Sequence, residues 1–509
     1  MASKNSIAKN TALLYFRMLI TMIVQLFTVR IVLANLGEDD YGIYTVVGGV
    51  VTMFSFLTST MANASQRFFA YEIGKNDMGQ LKKTFSITLF IYCIIALVIL
   101  ILAETIGLWF LNNKLVIPNE RIEAANWVYQ FSILTFMLTL FQVPYDALVI
   151  AKEKMNVFAF VSIIEVVLKL LIVYLLAVLP FDKLKLYSVL IFVVTLIVTS
   201  IYKTYCLKTV KESHYKWHWD KSRVMEIVSY SGWNLFGALA GVGNSQGINI
   251  VLNMFFSPAI NASRAIAFQL NTTINSFVQN FMTATRPQII KYYSQGLHDE
   301  MLNLVFKSSK FSFLLLFILS LPIVLETEFI INLWLHKTPI YITFFIRMIV
   351  FSTLVDTIAY PLVTTAQATG KIKIYQIVVG GCLLLNVPIS YVFLRFGYSP
   401  HIVFIIAFLN SIVCLFLRLV MLNKMVNLNL YSFFYKVICP ILLVSLPVYL
   451  SSFWIVNNYN DKIYYKIGIC LYSILLTLLL SLTIGTSRSE RALIKLAVLN
   501  ITNKFLKKS

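Results

Sequence analysis

Hydrophobic residues in this chain fall in long blocks rather than in alternation, and the blocks recur from one end to the other. Each is about 20 residues long, enough for a helix to cross a hydrocarbon core of about 30 Å. Inside lipid a segment must satisfy its own backbone hydrogen bonds, so blocks of this length predict helices. They lie near residues 11–34, 42–66, 85–110, 125–149, 157–179, 186–207, 226–252, 260–285, 311–334, 340–368, 374–394, 401–422, 433–456 and 463–484. The expected fold is all-α: a polytopic integral membrane protein with about 14 transmembrane helices. The first block is too long for a signal peptide and lacks a small-residue cleavage site, so it reads as a retained span.

The blocks repeat in pairs. "IVLANLG" at 31–37 is echoed by "IVLNMFF" at 250–256, and Arg67 by Arg286, both 219 positions on. "PYDALVIAKEK" (144–154) matches "PLVTTAQATGK" (361–371), and "AETIGLWFL" (103–111) matches "ETEFIINLWL" (326–335). Four matches in order at nearly constant spacing predict two copies of a six-helix unit. An even number of helices gives the copies the same orientation, as in parallel transporter repeats. The expected organisation is an N-terminal lobe over 1–222, a C-terminal lobe over 223–425, and two extra helices with a basic amphipathic tail over 426–509.

Polar positions break the pattern in four helices. Residues 269–287, "QLNTTINSFVQNFMTATRP", have the length of a span yet are rich in Asn, Gln and Thr. At 100° per residue, Arg264, Asn271, Thr272, Asn275, Gln279 and Arg286 fall on one face of helix 8. Helix 1 aligns Asn10, Arg17, Thr21, Gln25 and Thr28; helix 2 aligns Thr45, Gly49, Thr52, Thr60, Asn63 and Arg67; helix 7 aligns Asn234, Gly237, Gly241, Ser245 and Asn249. Any single Thr or Asn reads as glue between helices. Matching faces on the first two helices of each copy predict a shared water-filled cavity, because such groups are costly against lipid.

Composition and charge narrow the picture. A chain that is 59% hydrophobic and 13% charged is excluded from the soluble class. The net charge of +20 does not mark a nucleic-acid binder. With the N-terminus inside, 28 Lys and Arg fall in alternate loops on the inner side and nine on the outer, the bias expected of a membrane protein with both termini cytoplasmic. The six cysteines are scattered without a CxxC, so no disulfide framework and no metal site are expected. His214 and His218 lie among Lys216, Trp217 and Trp219, which reads as an interfacial loop. "GVGNSQG" (241–247) has no strand before it and reads as a place for helix 7 to bend or pack closely.

The candidate chemistry is cationic. Arg17 lies about two turns into helix 1 with no acid on its own helix face, and Arg264 and Arg286 stand near the two ends of the polar face of helix 8. A guanidinium suits phosphate oxygens through paired hydrogen bonds. Glu165 and Lys169 are spaced for an ion pair on helix 5, and Asp356 lies mid-span in helix 10; the two acids are the candidates for a coupling ion, H+ or Na+. No cofactor is expected.

"NLGEDDYGIYTVVGGV" after helix 1, "VPYDALVIAKEKMN" closing helix 4, "RPQIIKYYSQG" closing helix 8 and "ATGKIKIYQ" opening helix 11 carry a family likeness. In their order the chain resembles the multidrug/oligosaccharidyl-lipid/polysaccharide (MOP) exporter superfamily, in the polysaccharide-transport branch that includes Wzx-type O-antigen (O-unit) flippases. The resemblance implies two pseudo-symmetric six-helix lobes plus two C-terminal helices around a cationic cavity. It also implies a flippase, not an enzyme, that moves an undecaprenyl-pyrophosphate-linked oligosaccharide to the outer leaflet of the bacterial inner membrane by alternating access. Membrane lipids and polysaccharide polymerase or chain-length machinery are the implied partners. Helices 1, 2, 7 and 8 would line the cavity, with Arg17 and Arg264 toward the pyrophosphate. Three rivals stand beside this reading: a cation-coupled multidrug exporter, a peptidoglycan-precursor flippase, and a membrane glycan polymerase or ligase. The short outer loops, such as "LPFDKLK" and "RFGYSP", speak against the last.

Overall fold

A computed structural model describes residues 11, 13–22, 24, 28, 31–32, 35–36, 40, 43–44, 47–48, 54–114, 117–256, 258–335, 341–458, 462–487 and 490–491. Every regular element among them is helical. In chain order these are α1 (Leu13–Met22), α2 (Ser55–Gly74), α3 (Met78–Asn113), α4 (Asn119–Ala151), α5 (Met155–Val178), α6 (Lys183–Thr209), α7 (Lys221–Phe255) and α8 (Pro258–Ser294). There follow α9 (His298–Leu325), α10 (Thr327–Leu335), α11 (Ile342–Thr369), α12 (Lys373–Arg395), α13 (His401–Val426), α14 (Leu430–Asn458) and α15 (Ile463–Gly485). Eleven of them are long and apolar enough to cross a membrane, so the protein is a multi-pass membrane protein. The polar helices α2 and α8 are not among the eleven.

The residues divide into two compact units, one spanning Asn10–Leu235 and the other taking the chain from Phe236 onward. The duplication read from the sequence recurs in the places where helices stop. α2 ends at Gly74, Asn76 takes a positive φ of 59°, and α3 starts at Met78. α8 ends at Ser294, Gly296 takes φ 74°, and α9 starts at His298, each 220 positions on. At the next matching junction Glu153 (φ 59°) separates α4 from α5, and Gly370 (φ 76°) separates α11 from α12, 217 positions on. Glycine and asparagine tolerate this left-handed conformation, which turns the chain sharply out of a helix. Pro144 and Pro361 lie inside α4 and α11, also 217 apart.

Three details differ from the sequence reading. The predicted helix over 311–334 is two helices, because the chain turns at Glu326 between α9 and α10. Arg67 and Arg286 do not end their helices: α2 continues for seven further residues and α8 for eight. The "RPQIIKYYSQG" stretch predicts that Pro287 and Gly296 together let the chain leave the helix; instead Pro287 sits buried within α8, and Gly296 makes the turn. A proline removes one backbone donor, and a long packed helix absorbs that loss. The repeated "AETIG" stretch also departs from regular helix. Residues Ala103–Gly107 form one wide π turn, and the Tyr129 hydroxyl donates to the Ala103 carbonyl at 2.7 Å. Only glycine fits at 107, where a Cβ would stand 2.0 Å from the Tyr129 oxygen.

Each unit has its own core. In the first, Phe69 meets Phe85 at 5.7 Å and Phe85 meets Tyr145 at 5.4 Å between ring centroids, joining α2, α3 and α4. Outside the spans, Lys152 donates to Glu212 at 2.8 Å and ties the turn after α4 to the segment after α6. Burial works against the Glu212 carboxylate, but the Lys152 ammonium outweighs it and holds the group below the usual carboxylate range. In the second unit, Phe345 stacks on Phe404 at 4.1 Å between α11 and α13. The segment after α15 is pinned there: Lys310 of α9 donates to Glu490 at 2.7 Å, with both side chains about 95% buried.

Removing one partner of a buried ion pair leaves an uncompensated charge and costs about 3–5 kcal/mol. Glu490→Gln therefore lowers thermal stability in detergent markedly, whereas the double change Lys310→Met/Glu490→Leu restores most of it. A Glu490→Gln protein that melts with the parent would show that the clasp carries no weight.

Candidate functional site

In the first unit the polar residues gather where α1, α4, α5 and α6 meet. Arg17 projects from α1 with its guanidinium 4.8 Å above the Phe158 ring, and it donates to the Ser162 hydroxyl at 3.4 Å. Ser162 in turn donates to the Phe158 carbonyl, which leaves its oxygen free to accept from arginine. The Tyr202 hydroxyl of α6 stands between Ser162 and Asp146. Gln142 donates to Asp146 at 3.1 Å and accepts from Thr199 at 3.0 Å. A cavity of about 270 Å³ opens beside Arg17, lined also by Thr21, Thr28, Ser162, Glu165 and Lys169. Helix 1 has no acid beside Arg17, but the tertiary structure supplies two: Glu165 and Asp146 act on the guanidinium from α5 and α4.

In the second unit Arg264 of α8 is buried and engaged by α7. It donates to the Ser245 carbonyl at 2.8 Å and to the Asn249 side chain at 3.3 Å, and lies 4.5 Å above the Phe268 ring. Arg264 thus clamps α8 to α7. Further along α8, Asn275 donates to the Tyr360 hydroxyl at 2.9 Å, with Gln279 beside it. Asp356, one turn before Tyr360 on α11, is bonded by Ser411 and faces Arg418 of α13, which stands next to Tyr375 of α12.

The polar face predicted for α8 is divided. Asn271 and Asn280 turn inward, while Gln269, Thr272, Thr273 and Gln279 are exposed. Arg286 is half-buried on the same helix. Of the remaining candidates, Thr21 lines the Arg17 cavity, Asn63 is half-buried on α2, and Asn234 is buried on α7. Asn10, Gln25, Thr45, Gly49 and Thr52 lie outside the described residues. Arg17 and Thr21 belong to one unit, Asn249, Arg264, Asn271, Asn275, Gln279 and Arg286 to the other. Glu165 is paired with Lys169 at 2.6 Å.

Sequence reasoning passed over Arg418, Tyr202, Ser162 and Gln142. A lone arginine inside the apolar run of α13 was the available signal for Arg418, since an intramembrane charge is a functional candidate by default. Tyrosine, serine and glutamine at span depth give no such signal until a partner is seen.

In "GVGNSQG", Gly243 and Gly247 serve close packing rather than a bend. α7 runs unbroken from Lys221 to Phe255, and at Gly247 a Cβ would stand 2.7 Å from Val387 of α12. Asn386 of α12 donates to Asn244 at 2.9 Å beside this contact. Around His214 and His218, Trp217 and Trp219 both meet the edge of Phe90, at 5.3 and 5.6 Å. Among the described residues no group of three His, Cys, Asp or Glu is placed to hold a metal ion.

The fold is that of MOP-type transporters. A multidrug-resistance MATE transporter of the MOP superfamily in an outward-facing conformation superimposes with a TM-score of 0.67 at 14% identity, over 83% of this chain and 96% of that one. The Vibrio cholerae MATE transporter VcmN in its bent form gives 0.68 at 16% identity, over 86% and 100%. A MOP superfamily transporter from Pyrococcus furiosus, described as having a binding pocket of reverse polarity that suggests a different function, gives 0.61 at 14%, over 83% and 96%. In sequence, residues 7–293 match the family of polysaccharide biosynthesis proteins, and the chain belongs to that family. No curated protein matches it in sequence.

Two outcomes test the site. Overpacking a tight contact costs about 1–3 kcal/mol, so Gly247→Leu lowers the melting temperature. Gly241→Ala, with nothing within 4 Å of the added carbon, does not lower it. In a cysteine-free background, a water-soluble thiol reagent labels cysteine placed at Thr272 or Gln279 and not at Leu443, which is exposed on an apolar face. Equal labelling at all three positions would remove the distinction between a wet face and a lipid face.

Proposed function

We propose that this protein is a flippase that carries a polyprenyl-pyrophosphate-linked oligosaccharide across the bacterial inner membrane by alternating access, for O-antigen, capsule or exopolysaccharide synthesis. The observation that carries the reading is Arg17: a guanidinium within the first span, beside a polar cavity lined by hydroxyl groups. Its planar donors match phosphate oxygens, and Thr21, Thr28 and Ser162 match a hydroxyl-rich group. The exposed polar face of α8 suits water or glycan better than lipid tails. Membership of a polysaccharide biosynthesis family supports the same cargo class. The deep arginines favour an anionic cargo.

In this reading Arg17 receives the pyrophosphate in one unit. Arg264, held by α7, lends positive potential in the other, and Asn63, Asn234, Asn249, Asn271, Asn275, Gln279 and Arg286 serve the glycan path. Asp356, bonded by Ser411 and facing Arg418, is the candidate site of a coupling proton or sodium ion. The charge bias of the loops favours cytoplasmic termini, and in this reading the translocated oligosaccharide passes to a polymerase on the far side.

Arg17→Glu abolishes surface polysaccharide in a complemented deletion strain while the protein remains in the membrane fraction, and Arg17→Lys retains part of it. Parental amounts of surface glycan with Arg17→Glu would remove the pyrophosphate role.

A further inference from the structure

We infer that Glu165 is a built-in counter-anion of the Arg17 cavity, and that Lys169 is a second cation for the phosphate group that displaces it. The inference rests on the reading of Arg17 as a pyrophosphate contact. The cavity is bordered on one side by Arg17 and Thr21 of α1 with Val24 and Thr28 beyond it, and on the other by a stripe of α5, with Ser162, Glu165 and Lys169. Positions three or four apart lie on one helix face, so the stripe is continuous. Arg17 meets α5 at Ser162, and Lys169 is seven residues further along, about 10 Å at 1.5 Å per residue. Its ammonium reaches back and donates to Glu165 at 2.6 Å. The Glu165 carboxylate therefore stands between two cations: it is bonded by one and acts electrostatically on the other. That is where an incoming anion would sit.

Two cations side by side at span depth would be costly without an anion, and a carboxylate beside them offsets that cost. The balance is easily exchanged. An i,i+4 pair on a partly exposed helix surface is worth only about a factor of two in equilibrium terms, and the Glu165 side chain is 37% exposed. A pyrophosphate brings more charge and more acceptor oxygens than one carboxylate, so it wins both cations. A neutral amphiphile offers neither and leaves the pair closed. Glu165 thereby raises the threshold for entry and makes it depend on charge.

The test uses the full-length protein in detergent, titrated with farnesyl pyrophosphate and, in parallel, farnesol. One charge-assisted hydrogen bond is worth about a tenfold change in affinity. Glu165→Gln is expected to bind farnesyl pyrophosphate about twofold tighter, the worth of the pair it no longer has to break, with farnesol unchanged, and Lys169→Gln about tenfold weaker. Glu165→Ser serves if the glutamine variant does not fold. Unchanged or weaker binding by the Glu165 variants, while Arg17→Gln still abolishes it, would overturn the counter-anion and leave Arg17 as the pyrophosphate contact. A Lys169→Gln protein that binds like the parent would overturn the second cation. Unchanged binding by Arg17→Gln would overturn the reading beneath both.

Discussion

A charge within the span of a membrane protein must be met by the protein itself, and the interior of this molecule is arranged around that constraint. Three arginines meet it in related ways. Arg17 lies over Phe158, Arg264 over Phe268, and Arg67 among Phe68, Tyr71 and Tyr230. The ring faces attract each guanidinium without removing its hydrogen-bond donors. What differs is the remaining partner. Arg264 is held by a helix carbonyl and an asparagine, Arg67 has Glu226 at 3.9 Å, and Arg17 donates to Ser162 at the edge of a cavity. The same side chain is thus a clamp in one place and a candidate ligand contact in another, and the cavity is what separates the two.

The duplicated architecture gives those arginines a frame without giving them equal neighbours. Asn76 and Gly296, and Glu153 and Gly370, turn the chain at matching points of the two copies. These turns are backbone events and tolerate divergence of the surrounding side chains. The polar groups have diverged. Asp146 of α4 corresponds by the repeat spacing to Val363 of α11, and Asp356 of α11 to Thr139 of α4. Asp146 is approached by Gln142 and Tyr202, Asp356 by Ser411 and Arg418. One scaffold therefore holds two unlike polar clusters.

Much of the fold was legible in the hydrophobic blocks, because a span must be both long and apolar. Their count was less secure than their existence. The block over 311–334 concealed a break at Glu326, a position where apolar neighbours on both sides hide the turn. Helix ends were misread at Arg67, Arg286 and Pro287 for a related reason: a charge or a proline was taken as a stop, although α2 and α8 run on past them. The site was legible in part. Arg17 stood out as a cation without a helical neighbour, but Ser162 and Tyr202, which sit beside it, are unremarkable side chains in apolar sequence. The pairing of Glu165 with Lys169 followed from their spacing; their place at the edge of the Arg17 cavity did not.

The amino-acid sequence by itself determined that this chain is helical, that it spans a membrane many times, and that its halves repeat. Each of these follows from composition and period along one dimension. Which polar side chains meet was decided only by the tertiary structure. Arg17 and Ser162 are 145 residues apart, Asn275 and Tyr360 are 85 apart, and Lys310 and Glu490 are 180 apart. A helix exposes its side chains around a full circle, and only packing against a particular neighbour turns one sector into an interface and another into a cavity. The chemistry of an arginine, whether it clamps two helices or awaits a phosphate, is set by what that packing leaves beside it.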